Sequence, residues 1–396
     1  MKAVIWKGRK TVGVGEVADP EILEPTDAIV RVTSTAICGS DMHLYDVLAP
    51  AMHPGEILGH EAMGIVEQTG PEVTGIAPGD RVVVPFNIAC GACWMCERGL
   101  MSQCETTQQQ TDEGKGGMLF GYTSMYGGVP GGQAELLRVP QAQYGPVKVP
   151  ANGYADERFL FLSDILPTAW QGVRYADVRE GDTVAVLGLG PVGQFCCRVA
   201  AYLGAGAVIG VDTVPERLAL ARRWGVDVID TDRTDEVDAA VRERTGGRGA
   251  DAVIDAVGME AHGSPVRKWL QQRADLLPEP LGSEVAESIG VDRLDAMMTA
   301  FTIVRRGGTV SIVGVYTGEA DPVPMGELFD KGLTVRMGQC NVKRWIDEIW
   351  PALIDEADPL GTEDLTSHRL PLDEAERGYK LFDKQKDGCI KVVLQP

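Results

Sequence analysis

Five of the chain's nine cysteines stand at spacings that can do chemistry. Cys90, Cys93, Cys96 and Cys104 lie in CGACWMCERGLMSQC, a C-x2-C-x2-C-x7-C pattern that lets one short loop wrap a tetrahedral ion. Four thiolates and no open position are the donor set of a structural zinc site, with an iron–sulfur cluster as the weaker alternative. Upstream, ICGSDMHLY carries Cys38, Ser40, Asp41 and His43, and GHEAMG carries His60 and Glu61. Cys38 and His60 offer one soft and one borderline ligand to a second zinc, whose remaining position can take water or substrate. Singly, such residues are more often structural. They gain meaning from standing with the four-cysteine loop and the nucleotide motif downstream.

That motif is GLGPVG, residues 188–193, between the apolar strand TVAVL and a helical stretch. Gly188 permits a tight turn, Gly190 lets the backbone approach a diphosphate, and Gly193 allows close helix–strand packing. Pro191 and Val192 open the helix whose N-terminus faces the phosphates. Asp212 ends the next strand, AVIGVD, where a carboxylate accepts hydrogen bonds from ribose hydroxyls and repels a 2′-phosphate. NAD is therefore expected rather than NADP. The plainer reading of Asp212 is an ordinary turn former at a strand end.

These residues need a scaffold. AIVRVTSTA (28–36) alternates apolar and polar residues as a half-buried strand does, and GIVEQTG and GDRVVVPF add strand-and-turn signals, so the first part is β-rich. After Pro150, apolar strands (TVAVL, AVIGVD, VDVID, ADAVIDAVG, GGTVSIVGV and a possible GLTVRMG) alternate with helical stretches such as 194–203 and PERLALARRWG. That alternation predicts a doubly wound parallel sheet. The tail has a helix-like EAERGYKLF and a closing strand CIKVVLQP, expected to rejoin the β-rich part.

At 396 residues the chain exceeds the usual single core, so two domains are expected. A formal net charge of -20 disfavours nucleic-acid and membrane partners. Met1 to Lys10 lacks the apolar core of a signal peptide, and nothing approaches the ~18 apolar residues of a membrane span. A cytoplasmic location follows as the expectation. In a reducing compartment the cysteines are not a disulfide framework. Cys196, Cys197, Cys340 and Cys389, in apolar or terminal segments, read as structural.

Taken together, the motifs resemble the zinc-dependent medium-chain alcohol dehydrogenases, over essentially the whole chain and in the family's order. GHEAMGIVEQTGPEV is similar to the family's zinc signature, with spaced glycines at Gly64 and Gly70. The resemblance implies Cys38 and His60 as the first two catalytic zinc ligands. The family's third ligand is commonly a cysteine, but the matching stretch here, FLSDILPTAW, offers Asp164, whose oxygen also suits zinc. SDILPT and VPFNIACGAC resemble the glutathione-independent formaldehyde dehydrogenase branch in particular. Glu61 is either an intermittent fourth ligand or an electrostatic neighbour. Ser40 matches the hydroxyl that takes the substrate proton and His43 the histidine that passes it on, a relay that spares the site from opening to water. Asp41 resembles the carboxylate that orients His60, with turn capping as the alternative. Thr168 matches the threonine that packs on the nicotinamide, and Arg217 a basic residue near the ribose. One departure stands out: the basic residue after the zinc cysteine, which touches pyrophosphate in the family, is Gly39 here.

The expected architecture is a GroES-like β-rich catalytic domain, residues 1–165 completed by 338–396, around a Rossmann NAD-binding domain of 166–337, with the active site in the cleft. Two zinc ions per chain and NAD are the expected cofactors. The expected activity is hydride transfer to NAD from a small alcohol or aldehyde hydrate, formaldehyde hydrate included, in a homodimer or homotetramer. The alternatives are a broad alcohol or polyol dehydrogenase and a non-catalytic NAD-binding redox sensor. The long segment between Gly258 and Arg305 is expected to fold over the cofactor and slow its exchange. QQQTDEGKGGMLFGYTSMYGG, after the four-cysteine loop, is expected to share in substrate choice.

Overall fold

The computed structural model describes residues 1–108, 116–234, 236–258, 294–316 and 323–396. In chain order its strands are β1 (Lys2–Gly8), β2 (Thr11–Glu16), β3 (Ala28–Ile37), β4 (Glu61–Thr69), β5 (Arg81–Val84), β6 (Leu136–Val139) and β7 (Val147–Lys148). Then follow β8 (Thr183–Leu187), β9 (Ala207–Asp212), β10 (Asp227–Asp230), β11 (Ala250–Asp255), β12 (Val304–Ile312) and β13 (Thr334–Met337), and finally β14 (His368–Pro371) and β15 (Val392–Gln395). The chain divides into two compact units, Met1–Thr168 with Cys340–Pro396, and Ala169–Gln339.

The first unit is built on β3. A seven-stranded sheet runs β14-β15-β3-β4-β5-β7, with β6 also paired to β3. The alternation in β3 is weaker than a one-face-exposed strand requires: only Arg31 is exposed and only Thr33 half-buried. The strand is covered on both faces, and its buried hydroxyls are satisfied locally. Ser34 Oγ donates to Asp156 Oδ2 at 2.7 Å and Thr35 Oγ1 to the Glu61 carbonyl at 2.8 Å. Ala28, Val30 and Val32 join one core cluster with Val66, Val82 and Leu137, while Ile37 joins another with Leu44, Tyr379 and Val392.

Register brings the distant motifs together. β3 ends one residue before Cys38 and β4 begins one residue after His60. Antiparallel pairing sets Ala36 opposite Glu61, so Cys38 and His60 emerge side by side. β15 pairs antiparallel on the other edge of β3 with Val392 opposite Ile37, which delivers Lys391 to the same place.

The second unit is a six-stranded parallel sheet in the order β10-β9-β8-β11-β12-β13. Buried Ala185, Leu187, Ile209, Val211 and Val253 pack with Met297, Phe301 and Ile303 of helix Asp295–Ile303. The helix after the glycine turn spans Pro191–Tyr202 and starts three residues before the periodic apolar stretch, because proline at its first position presets the backbone and has no N–H to satisfy. No helix among the described residues is long and apolar enough to cross a membrane. Most of the long segment expected to cover the cofactor, 259–293, lies outside the described residues, as does 109–115 of the stretch after the four-cysteine loop.

Candidate functional site

Cys38, His60, Glu61 and Asp164 converge in the first unit, their donor atoms all within 4.8 Å of one another. Asp164 Oδ2 lies 3.3 Å from His60 Nε2 and 3.5 Å from Cys38 Sγ. Asp164 stands between the turn Phe161–Ser163 and helix Ile165–Tyr175, with its carboxylate facing His60 and Cys38. Thr168, one helical turn on, donates from Oγ1 to Asp164 Oδ1 at 2.9 Å. Asp41 Oδ2 accepts from the Cys38 N–H (3.0 Å) and Gln133 Nε2 (3.1 Å), as a turn-capping carboxylate does, and its Oδ1 stands 3.2 Å from His60 Nδ1. Tyr379 donates to Gln133 Oε1 at 2.8 Å, so the support for His60 runs back to the C-terminal helix Ala375–Lys384.

The electrostatics of this cluster are unusual. Burial pushes the Cys38 thiol up to about 12, and the carboxylates of Glu61 and Asp164 add to it. Burial alone would lower His60, but Asp41, Cys38 and Asp164 outweigh that and raise it well above the usual imidazole range. A thiol, an imidazole and two carboxylates are crowded in a dry site where anions repel strongly, and a divalent cation reconciles them.

Two neighbours carry no signal in the motifs. Lys391, with no exposed surface, donates from Nζ to Glu61 Oε1 at 2.6 Å, so Glu61 is first of all half of a buried ion pair. The sign of it in sequence is a lone charge inside the apolar strand CIKVVLQP. Cys340, read as structural, is buried next to Asp164 and Thr168; burial and the Asp164 charge push its thiol up. Its carbonyl accepts from Asn87 Nδ2 at 2.8 Å. Ser40 and His43 lie on the short helical turns Gly39–Met42 and His43–Val47 immediately after Cys38, with His43 buried and Ser40 half-buried. A Cβ on Gly39 would meet nothing within 4 Å, so sterics do not explain the missing basic side chain.

Cys90, Cys93, Cys96 and Cys104 form the second cluster, their sulfurs likewise within 4.8 Å of one another, and all four are free thiols. Donors already point at the sulfurs: Thr106 Oγ1 and the Ala92 N–H at Cys90, and the Glu105 N–H at Cys93. Burial pushes the Cys93 thiol up, but backbone donors at Cys96 and Glu105 and neighbouring cysteines bring it down to about 6. Ser102, inside the loop, donates from its N–H and hydroxyl to Asn341 Oδ1, both at 3.0 Å.

In the second unit Gly188 has φ +80, the left-handed region that glycine enters without strain, and a Cβ on Gly193 would collide with the Gly188 carbonyl. A Cβ on Gly190 would lie 3.9 Å from the Arg217 guanidinium. Pro191 and Val192 open the helix. Asp212 Oδ2 accepts from the Leu189 N–H at 2.6 Å and Oδ1 from Thr213 (2.7 Å) and Val214 (2.8 Å), with Arg217 Nη1 3.8 Å from Oδ2. The carboxylate thus ties the glycine turn to the end of β9.

A GroES-like β unit bearing two metal-donor clusters, together with a doubly wound nucleotide fold, defines the zinc-dependent medium-chain alcohol dehydrogenases, and the chain belongs to that family of NAD-linked oxidoreductases. Residues 24–151 match the alcohol dehydrogenase GroES-like domain and residues 191–272 the zinc-binding dehydrogenase domain. The chain is 42% identical to the zinc-type alcohol dehydrogenase-like protein AdhB of Bacillus subtilis, over all of both chains. It is 31% identical to the glutathione-independent formaldehyde dehydrogenase of the same organism, covering 100% of this chain and 97% of that one. Among solved structures, alcohol dehydrogenase TADH from Thermus sp. ATN1 superposes with a TM-score of 0.82 at 37% identity, covering 100% of this chain and 99% of that chain.

Proposed function

We propose that the chain oxidises a small alcohol or an aldehyde hydrate, such as that of formaldehyde, with NAD as hydride acceptor and two zinc ions per chain. The observation that carries this reading is the convergence of Cys38, His60 and Asp164 beside Glu61, since three such ligands suit zinc and leave a tetrahedral ion one position for substrate. When bound, zinc at these residues would supply a Lewis acid that polarises the substrate oxygen and lowers its pKa, and NAD would accept the hydride. The remaining work falls to the chain. Asp41 holds His60 in one tautomer and orientation. Ser40 receives the proton of the substrate hydroxyl and His43 passes it toward solvent. Thr168 is held through its bond to Asp164 and would pack on the nicotinamide when NAD is bound. Cys90, Cys93, Cys96 and Cys104 hold the second ion as a structural brace.

On this reading the first unit is the catalytic domain and the second binds NAD across Gly188–Gly193, with Asp212 and Arg217 at the ribose. The test is turnover, followed by NADH absorbance, of zinc-loaded protein across primary alcohols, polyols and hydrated formaldehyde. A rate confined to polyols or spread evenly over all alcohols removes the formaldehyde-like preference; no rate with any alcohol favours a redox sensor. NAD is preferred over NADP by on the order of 10²-fold in kcat/KM, because a 2′-phosphate would face the Asp212 carboxylate, and Asp212→Gly narrows that gap. Equal use of both cofactors by the wild type sinks the Asp212 assignment.

The protein is proposed to be cytoplasmic and to assemble as a homodimer or homotetramer. Support for an oligomer comes from β13, an edge strand among the described residues and exposed at all four of its positions, close in sequence to helix Met325–Lys331. Phe329 is 86% exposed, Met325 67% and Met337 63%, an apolar group that a second copy of the same edge would cover. Light scattering should show an oligomer in the wild type and a smaller species for Phe329→Glu. An unchanged mass in that variant places the interface elsewhere.

A further inference from the structure

A buried carboxylate at the C-terminal edge of the parallel sheet has no part in the chemistry above. Asp255 is the last residue of β11 and has no exposed surface. Its Oδ1 accepts from the N–H groups of Val257 (2.9 Å) and Gly258 (3.1 Å), and its Oδ2 from the Tyr316 hydroxyl (2.5 Å). Its carbonyl accepts from Val313 and Gly314, both at 2.9 Å. One residue thereby binds the loop after β11 to the loop after β12. The loops run backbone against backbone: a Cβ on Gly258 would meet Val315 N and O, and one on Gly314 would meet the Gly258 backbone. The first loop also borders the glycine turn, since a Cβ on Gly188 would meet the Val257 side chain.

Position in the sheet decides what this clasp serves. β8 has β9 on one side and β11 on the other, so the chain's winding reverses there, at the place where doubly wound sheets bind dinucleotides outside the strand ends. Asp212, ending β9, marks the adenosine side. The nicotinamide side then falls across the ends of β11 and β12, which Asp255 and Tyr316 join. Resting on the NAD reading above, we propose that Asp255 and Tyr316 are positioning residues for the nicotinamide half of the cofactor. They fix the backbone of 256–258 and 313–316 in the arrangement that half recognises. Neither touches a reacting atom. Removing the Tyr316 hydroxyl leaves Asp255 Oδ2 buried without its partner, and the two loops lose the side-chain bond that sets their spacing.

The experiment titrates wild type, Tyr316→Phe and Asp255→Asn with NADH and with ADP-ribose, which carries the adenosine and diphosphate but no nicotinamide. The Kd for NADH rises roughly tenfold in both variants, the worth of one charge-assisted hydrogen bond. The Kd for ADP-ribose stays near wild type, and kcat/KM for NAD falls with NADH affinity. A brace that is merely structural would shift both nucleotides equally or neither, and either result overturns the clasp. Wild-type protein that binds neither nucleotide overturns the NAD reading and the clasp with it. If Asp255→Asn fails to fold, Tyr316→Phe, which deletes one oxygen from a half-buried side chain, decides the matter alone.

Discussion

Asp164→Ala lowers turnover by on the order of 10³-fold or more while the protein folds and still holds NAD, because losing a Lewis acid's anchor costs several kcal/mol at the transition state. The asymmetry between turnover and folding follows from where the carboxylate sits. Asp164 lies among Cys38, His60 and Glu61, with its Oδ2 3.3 Å from His60 Nε2 and its Oδ1 accepting from Thr168 Oγ1. Deleting it takes one carboxylate from His60, but Asp41 Oδ1 still stands 3.2 Å from that imidazole, so the apoprotein loses some stability and still folds. Metal analysis should fall from two zinc equivalents per chain to one. Cys93→Ser should do the reverse: it breaks the loop that Cys90 to Cys104 close, lowers folding yield, and leaves correctly folded molecules active. Soluble, active Cys93→Ser beside misfolded Asp164→Ala would mean that the structural and catalytic roles had been exchanged.

What was legible in the chain was whatever chemistry is local in sequence. The four cysteines, the glycine turn and the Asp212 strand end each occupy a window short enough for spacing alone to imply geometry. Cys38 and His60 are separated by 22 positions but flank consecutive strands, so an antiparallel pair sufficed to join them. Asp164 needed the family resemblance, since one aspartate in an apolar turn has no pattern of its own. Lys391 and Cys340 were not legible as parts of the site. Lys391 reaches Glu61 across 330 residues through the pairing of β15 on β3, and Cys340 reaches Thr168 and Asp164 from the start of the closing segment. Asp255 was hidden for another reason: the strand ADAVID carries no sign of a partner for its closing aspartate, which Tyr316 supplies from 61 residues downstream, after β12.

The Glu61–Lys391 pair carries the largest expected effect on stability. Both side chains have no exposed surface, and Lys391 Nζ is 2.6 Å from Glu61 Oε1. Burial pushes the Glu61 carboxyl up while Lys391 pulls it back, and burial lowers the Lys391 ammonium while Glu61 raises it. Each charge is therefore tolerable only in the presence of the other. Lys391→Met keeps the aliphatic length but strands a buried carboxylate, which costs about 3–5 kcal/mol. For a unit of this size the melting temperature should drop by roughly 6–20 °C. Replacing the ion pair by Glu61→Gln with Lys391→Met removes both charges together, and most of the loss should return, because a buried pair is weakly stabilising as a whole even when either half alone is ruinous. Calorimetry of the two single variants and the double variant in metal-free protein measures this coupling. Additive losses would show that Lys391 and Glu61 act independently, and a Lys391→Met melting temperature equal to wild type would show that no buried carboxylate depends on Lys391; either result overturns the pairing.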